Sequence, residues 1–243
     1  MKVLEVLKGD YNAQELVVVP HFQDRYRPTP WLEREVFREG EESILFLEPY
    51  VDDFGRAGDP DTFSLLNADQ GKVPIPTEGR AALLDALRRL IEIQSIEAYD
   101  DQINALRGTL QAANPFLIEA GLEQCARFHL ATLEDTEVLL EMLNAPRPDF
   151  RSGALVLLGQ IVHDGLVRDP GTAFSPTLFE KVATAANGDE TDRVRASAIE
   201  ALAAFHSPAA LRVIEAIGSA DASQDVRYLA QITAHRLRGE LPH

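Results

Sequence analysis

The chain has 243 residues, 45% of them apolar, and 23 basic against 39 acidic side chains give a formal net charge of −16. That length is enough for one or two domains with a real core, and that charge repels phosphate backbones and anionic headgroups, which argues against nucleic acid as the main partner. A single cysteine, Cys125, rules out an internal disulfide and a thiolate zinc cluster, and no apolar run approaches the ~20 residues that span a bilayer.

The opening MKVLEVLKGD has no basic start followed by a long apolar run, so no signal peptide is expected in this chain. The compartment is then cytoplasmic if this start is the native one, and periplasmic or extracellular if a leader precedes it. Residues 1–78 read as β. Short β-branched runs occur at Val3 to Leu7, Leu16 to Val19, Ile44 to Leu47 and Phe63 to Leu66, separated by turn residues such as Gly9-Asp10, Phe54-Gly55 and Asp69-Gln70-Gly71. Pro20, Pro28 and Pro30 make residues 21–32 a long loop rather than a strand.

Residues 79–243 read as helix after helix. Ala, Leu, Glu and Arg dominate, and apolar spacing changes to threes and fours, as in Leu83, Leu87, Leu90 and Ile91. Asn114-Pro115, Ser175-Pro176 and Ser207-Pro208 each set a capping side chain before a proline at the first helical position. Asn187-Gly188, Gly218-Ser219 and Gly239 mark stops. With 8 basic and 16 acidic side chains in residues 1–78, and 15 and 23 in residues 79–243, each part carries −8.

A repeat runs through the helical part. The strings PDFRSGALVLL, DRVRASAIEAL and QDVRYLAQITA share an acid, an apolar anchor, an arginine and an alanine four after the anchor. They place Asp149, Phe150, Arg151 and Ala154; Asp192, Val194, Arg195 and Ala198; and Asp225, Val226, Arg227 and Ala230. An earlier, degraded copy keeps Phe116 and Ala120 without the arginine. Anchor spacings are 34, 44 and 32 residues, and the long step contains a turn-rich stretch from Val167 to Ser175 that reads as a surface insertion. Val194, Ala198, Leu202 and Phe205 make one apolar stripe, off which Ala203 falls; the small Ala198 is expected where two helices cross.

Over roughly residues 97–238 this resembles the HEAT repeat family, in which each repeat is two antiparallel helices and the second begins with an aliphatic-Arg-x-x-Ala pattern. The resemblance implies a stacked α-solenoid of about four repeats, because one helix pair cannot bury its own stripe. It also implies that Asp149, Arg151, Asp192, Arg195, Asp225 and Arg227 tie successive repeats together. The first copy lacks both groups. Residues 1–78 carry a weaker likeness. Val6 to Asp10, Phe37, Gly40, Glu41, Ile44 to Leu47, Gly71 and Lys72 are similar in order to netrin-module and tissue-inhibitor-of-metalloproteinases-like OB barrels. The expected fold is therefore α+β: a small β-barrel-like module in residues 1–78, followed by an all-α HEAT-like solenoid of antiparallel helix pairs in residues 79–243.

Isolated side chains add little chemistry. His129, His163 and His206 each follow a repeat anchor by 12 or 13 residues, a row that suits either a metal or a pH-sensitive edge, although a histidine near a helix end also suits the dipole. The acidic loop from Asp52 to Asp61 lacks the spacing of a calcium loop and reads as a solvated turn. Cys125 sits at helical spacing with Ile118 and Leu122, as a buried apolar group would. Trp31, among Tyr26, Pro28 and Pro30, fits a binding tip or a plug in the β part.

No catalytic constellation, metal motif or cofactor loop is legible. The leading reading is a non-catalytic protein-protein interaction or scaffold protein that uses the solenoid groove, with Trp31, Glu200 and Gln231 as interaction-surface candidates. The net charge points to a protein partner with a basic patch, to no nucleic acid and to no membrane span. One alternative is a HEAT-like lyase or other enzyme subunit; another is an exported envelope-associated binding module.

Overall fold

The computed structural model describes residues 17–19, 42–45, 47–49, 62–65, 72–75, 78–168 and 174–240. The chain divides into two compact units, Met1–Ile91 and Glu92–His243.

In the first unit, β1 (Val17–Val19), β2 (Ser43–Leu45), β3 (Leu47–Pro49) and β4 (Thr62–Leu65) fall within or beside three of the β-branched runs, and β5 (Lys72–Pro74) follows. They form two separate small sheets. In one, β4 is central, parallel to β1 (Val18 opposite Phe63) and antiparallel to β3 (Glu48 opposite Ser64). In the other, β2 pairs antiparallel with β5 (Ile44 opposite Val73). Strands of three and four residues are short for a sheet that must tilt and close. Among the described residues no barrel forms, so the likeness to netrin-module OB barrels is not supported. The run from Val3 to Leu7, the proline loop around Trp31 and the acidic loop from Asp52 to Asp61 lie outside the described residues.

Helix α1 (Arg80–Gln94) opens the helical region. Its predicted stripe, Leu83, Leu87, Leu90 and Ile91, is half-buried, and the fully covered positions are Leu84, Ala86 and Ile93 beside it. The second unit continues with α2 (Tyr99–Gly108), a 3-10 turn at Thr109–Gln111 and α3 (Pro115–Phe128), then α4 (Thr136–Met142) after a 3-10 turn at Leu133–Asp135. There follow α5 (Pro148–Arg168), α6 (Pro176–Gly188), α7 (Asp192–Ala203), α8 (Pro208–Ala220) and α9 (Gln224–Leu237).

All three predicted caps are made. Asn114 Oδ1 accepts from the Phe116 amide at 3.0 Å, Ser175 Oγ from Thr177 at 3.2 Å and Ser207 Oγ from Ala210 at 3.1 Å, each ahead of a proline whose missing donor costs nothing there. Two predicted boundaries differ. Helix α5 runs to Arg168, two residues into the stretch read as an insertion, so a longer helix accounts for part of the 44-residue step. Gly218 lies inside α8, which continues to Ala220. A Cβ there would stand 3.2 Å from Cγ and 3.4 Å from the backbone nitrogen of Gln231, so this glycine serves close packing of α8 on α9 rather than a stop.

The repeat anchors begin the second helix of each pair. These helices, α3, α5, α7 and α9, pack side by side in one layer, and α4, α6 and α8 each pack against the second helix of their own pair. One continuous core joins the layers through Leu139, Leu155, Leu158, Val162, Leu178, Val182, Ile199, Leu202 and Ile214, all essentially inaccessible. Ala154, Ala198 and Ala230, the motif alanines, are fully buried. Ala203 is a correction: at 6% exposure it is a core residue, because α7 is covered on more than one side and its buried face is wider than the Val194–Phe205 stripe. Phe205 packs edge-on against Phe174 and Phe179, with centroids at 6.0 and 5.3 Å, and so ties the end of α7 to the α6 side.

The close approach of α3 to the preceding 3-10 turn gives a first test. A Cβ on Gly121 would fall inside van der Waals distance of Thr109 Oγ1, a buried hydroxyl that donates to the Leu106 carbonyl at 2.6 Å. Gly121→Ala gains ~1 kcal/mol of helix propensity, yet overpacking costs ~1–3 kcal/mol. The expected result is a lower melting temperature, largely restored when Thr109→Ala is added.

Candidate functional site

The motif arginines Arg151 and Arg195 act the same way at successive helix pairs. Arg151, on the first turn of α5, donates from Nε and Nη2 to both oxygens of Asp189 at 2.8 and 2.9 Å, while Nη1 donates to the Ala145 carbonyl at 2.9 Å. Arg195, one pair later, donates to both oxygens of Asp221 at 2.8 and 2.9 Å, and its Nη1 to the Asp189 carbonyl at 2.8 Å. Each guanidinium thus grips a carbonyl six residues back in its own loop and a carboxylate in the next. Two parallel N–H···O bonds fix both distance and angle between neighbouring pairs. Arg227 donates to the Asp221 carbonyl in the same way.

The acids in these bidentate bonds are not those singled out from the motif. Asp149 contacts Arg193 at 2.6 Å on the surface, Asp192 binds Arg195 within its own helix at 2.8 Å, and Asp225 makes no ion pair with the described residues. Asp189 and Asp221 instead sit at the C-caps of α6 and α8, where each also accepts an amide two residues on, from Thr191 at 2.9 Å and Ser223 at 2.8 Å. A signal for them exists in the chain: an aspartate stands six residues before Arg195 and Arg227, whereas Ala145 holds that place before Arg151, whose preceding copy carries no arginine. That earlier copy is fastened differently. Arg107 of α2 donates from Nε to Asp135 at 2.9 Å and from Nη2 to Thr132 at 2.7 Å, and Asp135 closes a capping box on Thr132.

Charge state follows geometry. The Arg195 hydrogen bonds hold the Asp221 carboxyl below its ordinary range against the opposing effect of burial. At Asp189 burial pushes upward, but the Arg151 bond, the Thr191 amide and nearby cations outweigh it, and the net direction is also down. A depressed folded value means the unfolded chain takes up protons first. The ion pairs therefore contribute fully above about pH 4 and are lost as pH falls below it. The urea midpoint is expected to fall as pH drops below about 4, and less steeply in Asp221→Asn.

Beside this fixed framework lies a groove across α5, α7 and α9. Its floor is small, formed by Gly159, Ala201, Ala203 and Ala204, and its rim carries Val156, His163, Glu200, His206 and Arg236. Its volume of about 690 Å³ suits a short peptide or small molecule rather than a single ion. Ser152 and Ser197 bond at 2.8 Å between α5 and α7 and hold those helices in register. Glu200, expected on an interaction surface, is in this groove, as are two of the three histidines. His129 is apart: it caps α3 in the left-handed region (φ 53°) and faces Asp164 at 3.5 Å. His206 likewise has φ 46° at the end of α7, but His163 is within α5 and not at its end. Gln231 is outside the groove lining and donates to the Gly218 carbonyl at 2.8 Å. Trp31 lies outside the described residues.

The stacked pairs, the arginine grips and the layer of second helices correspond to a known architecture. Residues 136–234 match the family of HEAT repeats. The match takes in α4 to α8 and most of α9, so α2 and α3, read as a first copy, are outside it. Comparison with curated proteins finds no match, and comparison with solved structures finds none.

Cys125 is fully buried on α3, and desolvation pushes its thiol up to about 11, which leaves it a neutral core group. Among the described residues no group of three or more His, Cys, Asp or Glu is placed to hold a metal ion, and no helix is long and apolar enough to cross a membrane.

Proposed function

We propose that this protein is a non-catalytic interaction module that holds a protein partner in the groove across α5, α7 and α9. HEAT repeats are in general protein-interaction scaffolds, and residues 136–234 match them. The observation that carries the reading is the contrast between the two parts of the stack. Its polar interior is closed by bidentate ion pairs, while the adjoining groove leaves Val156, His163, Glu200, His206 and Arg236 exposed along three successive helices. Exposed side chains along a stacked layer of second helices support the reading of a docking surface.

A photoreactive amino acid at Val156, in the groove, is expected to crosslink a defined protein partner in extracts of the source cell. The same group at the exposed Lys181 on α6 is not. The partner is then purified and its affinity measured against Glu200→Arg. Equal crosslinking from both positions, or affinity unchanged by the groove variant, contradicts the proposal. The chain's −16 also leads us to expect no specific duplex DNA binding at physiological salt. Micromolar or tighter anisotropy-detected binding that weakens steeply with salt contradicts that expectation.

A further inference from the structure

We propose that the outer side of α9 docks a helix pair of a partner protein, and that Arg227 takes a carboxylate of that pair between its Nε and Nη2. The residues involved, Arg227, Tyr228, Ile232 and His235, do not line the groove, so this surface goes beyond the function proposed above.

The stack itself shows what a motif arginine is built to hold. In Arg151 and Arg195, Nη1 donates to the carbonyl six residues back, while Nε and Nη2 donate to the carboxylate of the next loop. Arg227 keeps the first half of that arrangement. Its Nη1 donates to the Asp221 carbonyl, six residues back, and to that of Ala222 at 3.1 Å. Among the described residues its Nε and Nη2 donate to nothing. The acid that Arg195 also binds within its own helix, Asp192, has Gln224 in its place before Arg227. Asp225 stands two residues from Arg227, a spacing at which helical side chains do not face each other. A guanidinium anchored in this way leaves a planar two-donor edge that matches a carboxylate.

The surface beside it has the register of a contact face. Ser152 of α5 bonds Ser197 of α7 at 2.8 Å, and a Cβ on Gly159 would stand 3.0 Å from Ala201 Cα, so these two positions meet the next helix. Counted from the motif arginine, the same positions on α9 are Tyr228 and His235, and both are exposed, Tyr228 at 65%. Ile232, one turn after Tyr228, is exposed as well. A terminal repeat that meets only water has a polar outer face, whereas this face sets an aromatic and an aliphatic side chain beside a cation. On α5 the same side is covered by α7 of the next pair, and the aspartate that caps the first helix of that pair fills the arginine. That precedent and the charge of the open edge specify an occupant that is helical and carries an aspartate or glutamate. A second copy stacked head to tail does not bring one: the matching place in the first repeat copy, six residues before Leu117, is Gln111.

The test places a photoreactive amino acid at Tyr228 of the full chain in extracts of the source cell and maps the crosslinked peptide. A helical segment of another protein with an aspartate or glutamate near the crosslink is expected. The purified partner is then expected to bind about tenfold or more weakly to Arg227→Leu, as loss of a close charge pair implies. The same loss is expected for Tyr228→Glu, an exposed change that leaves the circular dichroism spectrum as it is. Neutralising the partner's carboxylate is expected to add little to Arg227→Leu. No crosslink, a crosslink to a second copy, or one confined to residues 241–243 of the same chain overturns the proposal. So does a partner whose affinity ignores Arg227→Leu, or for which the two losses simply add. Crosslinking from Val156 is expected to survive Arg227→Leu, so the groove reading and this one fail separately.

Discussion

Arg195→Leu is expected to destabilise the protein by ~3–5 kcal/mol, read as a fall in urea midpoint by far-ultraviolet circular dichroism. The magnitude is that of removing one partner from a buried ion pair. Arg195 and Asp221 side chains are 10% and 6% exposed, and the substitution strands Asp221 together with the Asp189 carbonyl. Arg193, two residues earlier on the same helix, supplies the contrast. Its 2.6 Å contact with Asp149 is shorter than either Asp221 bond, but its side chain is 70% exposed. Exposed pairs contribute ~0–1 kcal/mol, so Arg193→Leu is expected to be nearly silent. Adding Asp221→Leu to Arg195→Leu is expected to recover part of the loss, since an apolar pair leaves no stranded charge.

Leu202→Ala is expected to cost ~2–5 kcal/mol, the range for deleting a large aliphatic side chain from a packed core. Leu202 is fully inaccessible on α7, the helix that touches α5, α6, α8 and α9, so its neighbours are held from several sides and have little room to close the void. Val156→Ala, in the groove on α5, is the matched control. Val156 is 36% exposed, and surface changes typically fall within ~0.5 kcal/mol. A differential scan of the two variants separates stability from the groove's role: Val156→Ala is expected to keep the melting temperature.

The helical half was legible because its determinants are local. A capping side chain and the proline after it are adjacent in sequence, and a motif alanine lies four residues from its anchor, so Asn114, Ser175, Ser207, Ala154, Ala198 and Ala230 were found without knowing what they pack against. Partners across the stack are not local. Asp189 lies 38 residues from Arg151 and Asp221 lies 26 from Arg195, and the nearby Asp149 and Asp192 offered a shorter but different pairing. Ala203 and Gly218 were misjudged for a related reason. A single stripe describes a helix with one buried face, whereas α7 is covered on several sides and α8 approaches α9 closely enough to need a glycine.

The β half was less legible. Its described strands are three or four residues long, too short for alternation to define a face, and the pairing of β1 with β4 joins residues some 45 positions apart. The groove was reached only in part. Glu200 was singled out for its repeat position, but the convergence of His163, His206 and Arg236 depends on how three helices lie side by side.

The claim at the centre of this account is that arginine–aspartate pairs between successive helix pairs set the stack and thereby build the groove. A double-mutant cycle on Arg151 and Asp189 tests it most directly, with Arg151→Leu, Asp189→Asn and the combined variant unfolded in urea at pH 7. Both side chains are about one-tenth exposed and share two hydrogen bonds. The account predicts a coupling free energy of ~1.5–3 kcal/mol; losses that simply add, within ~0.5 kcal/mol, would contradict it.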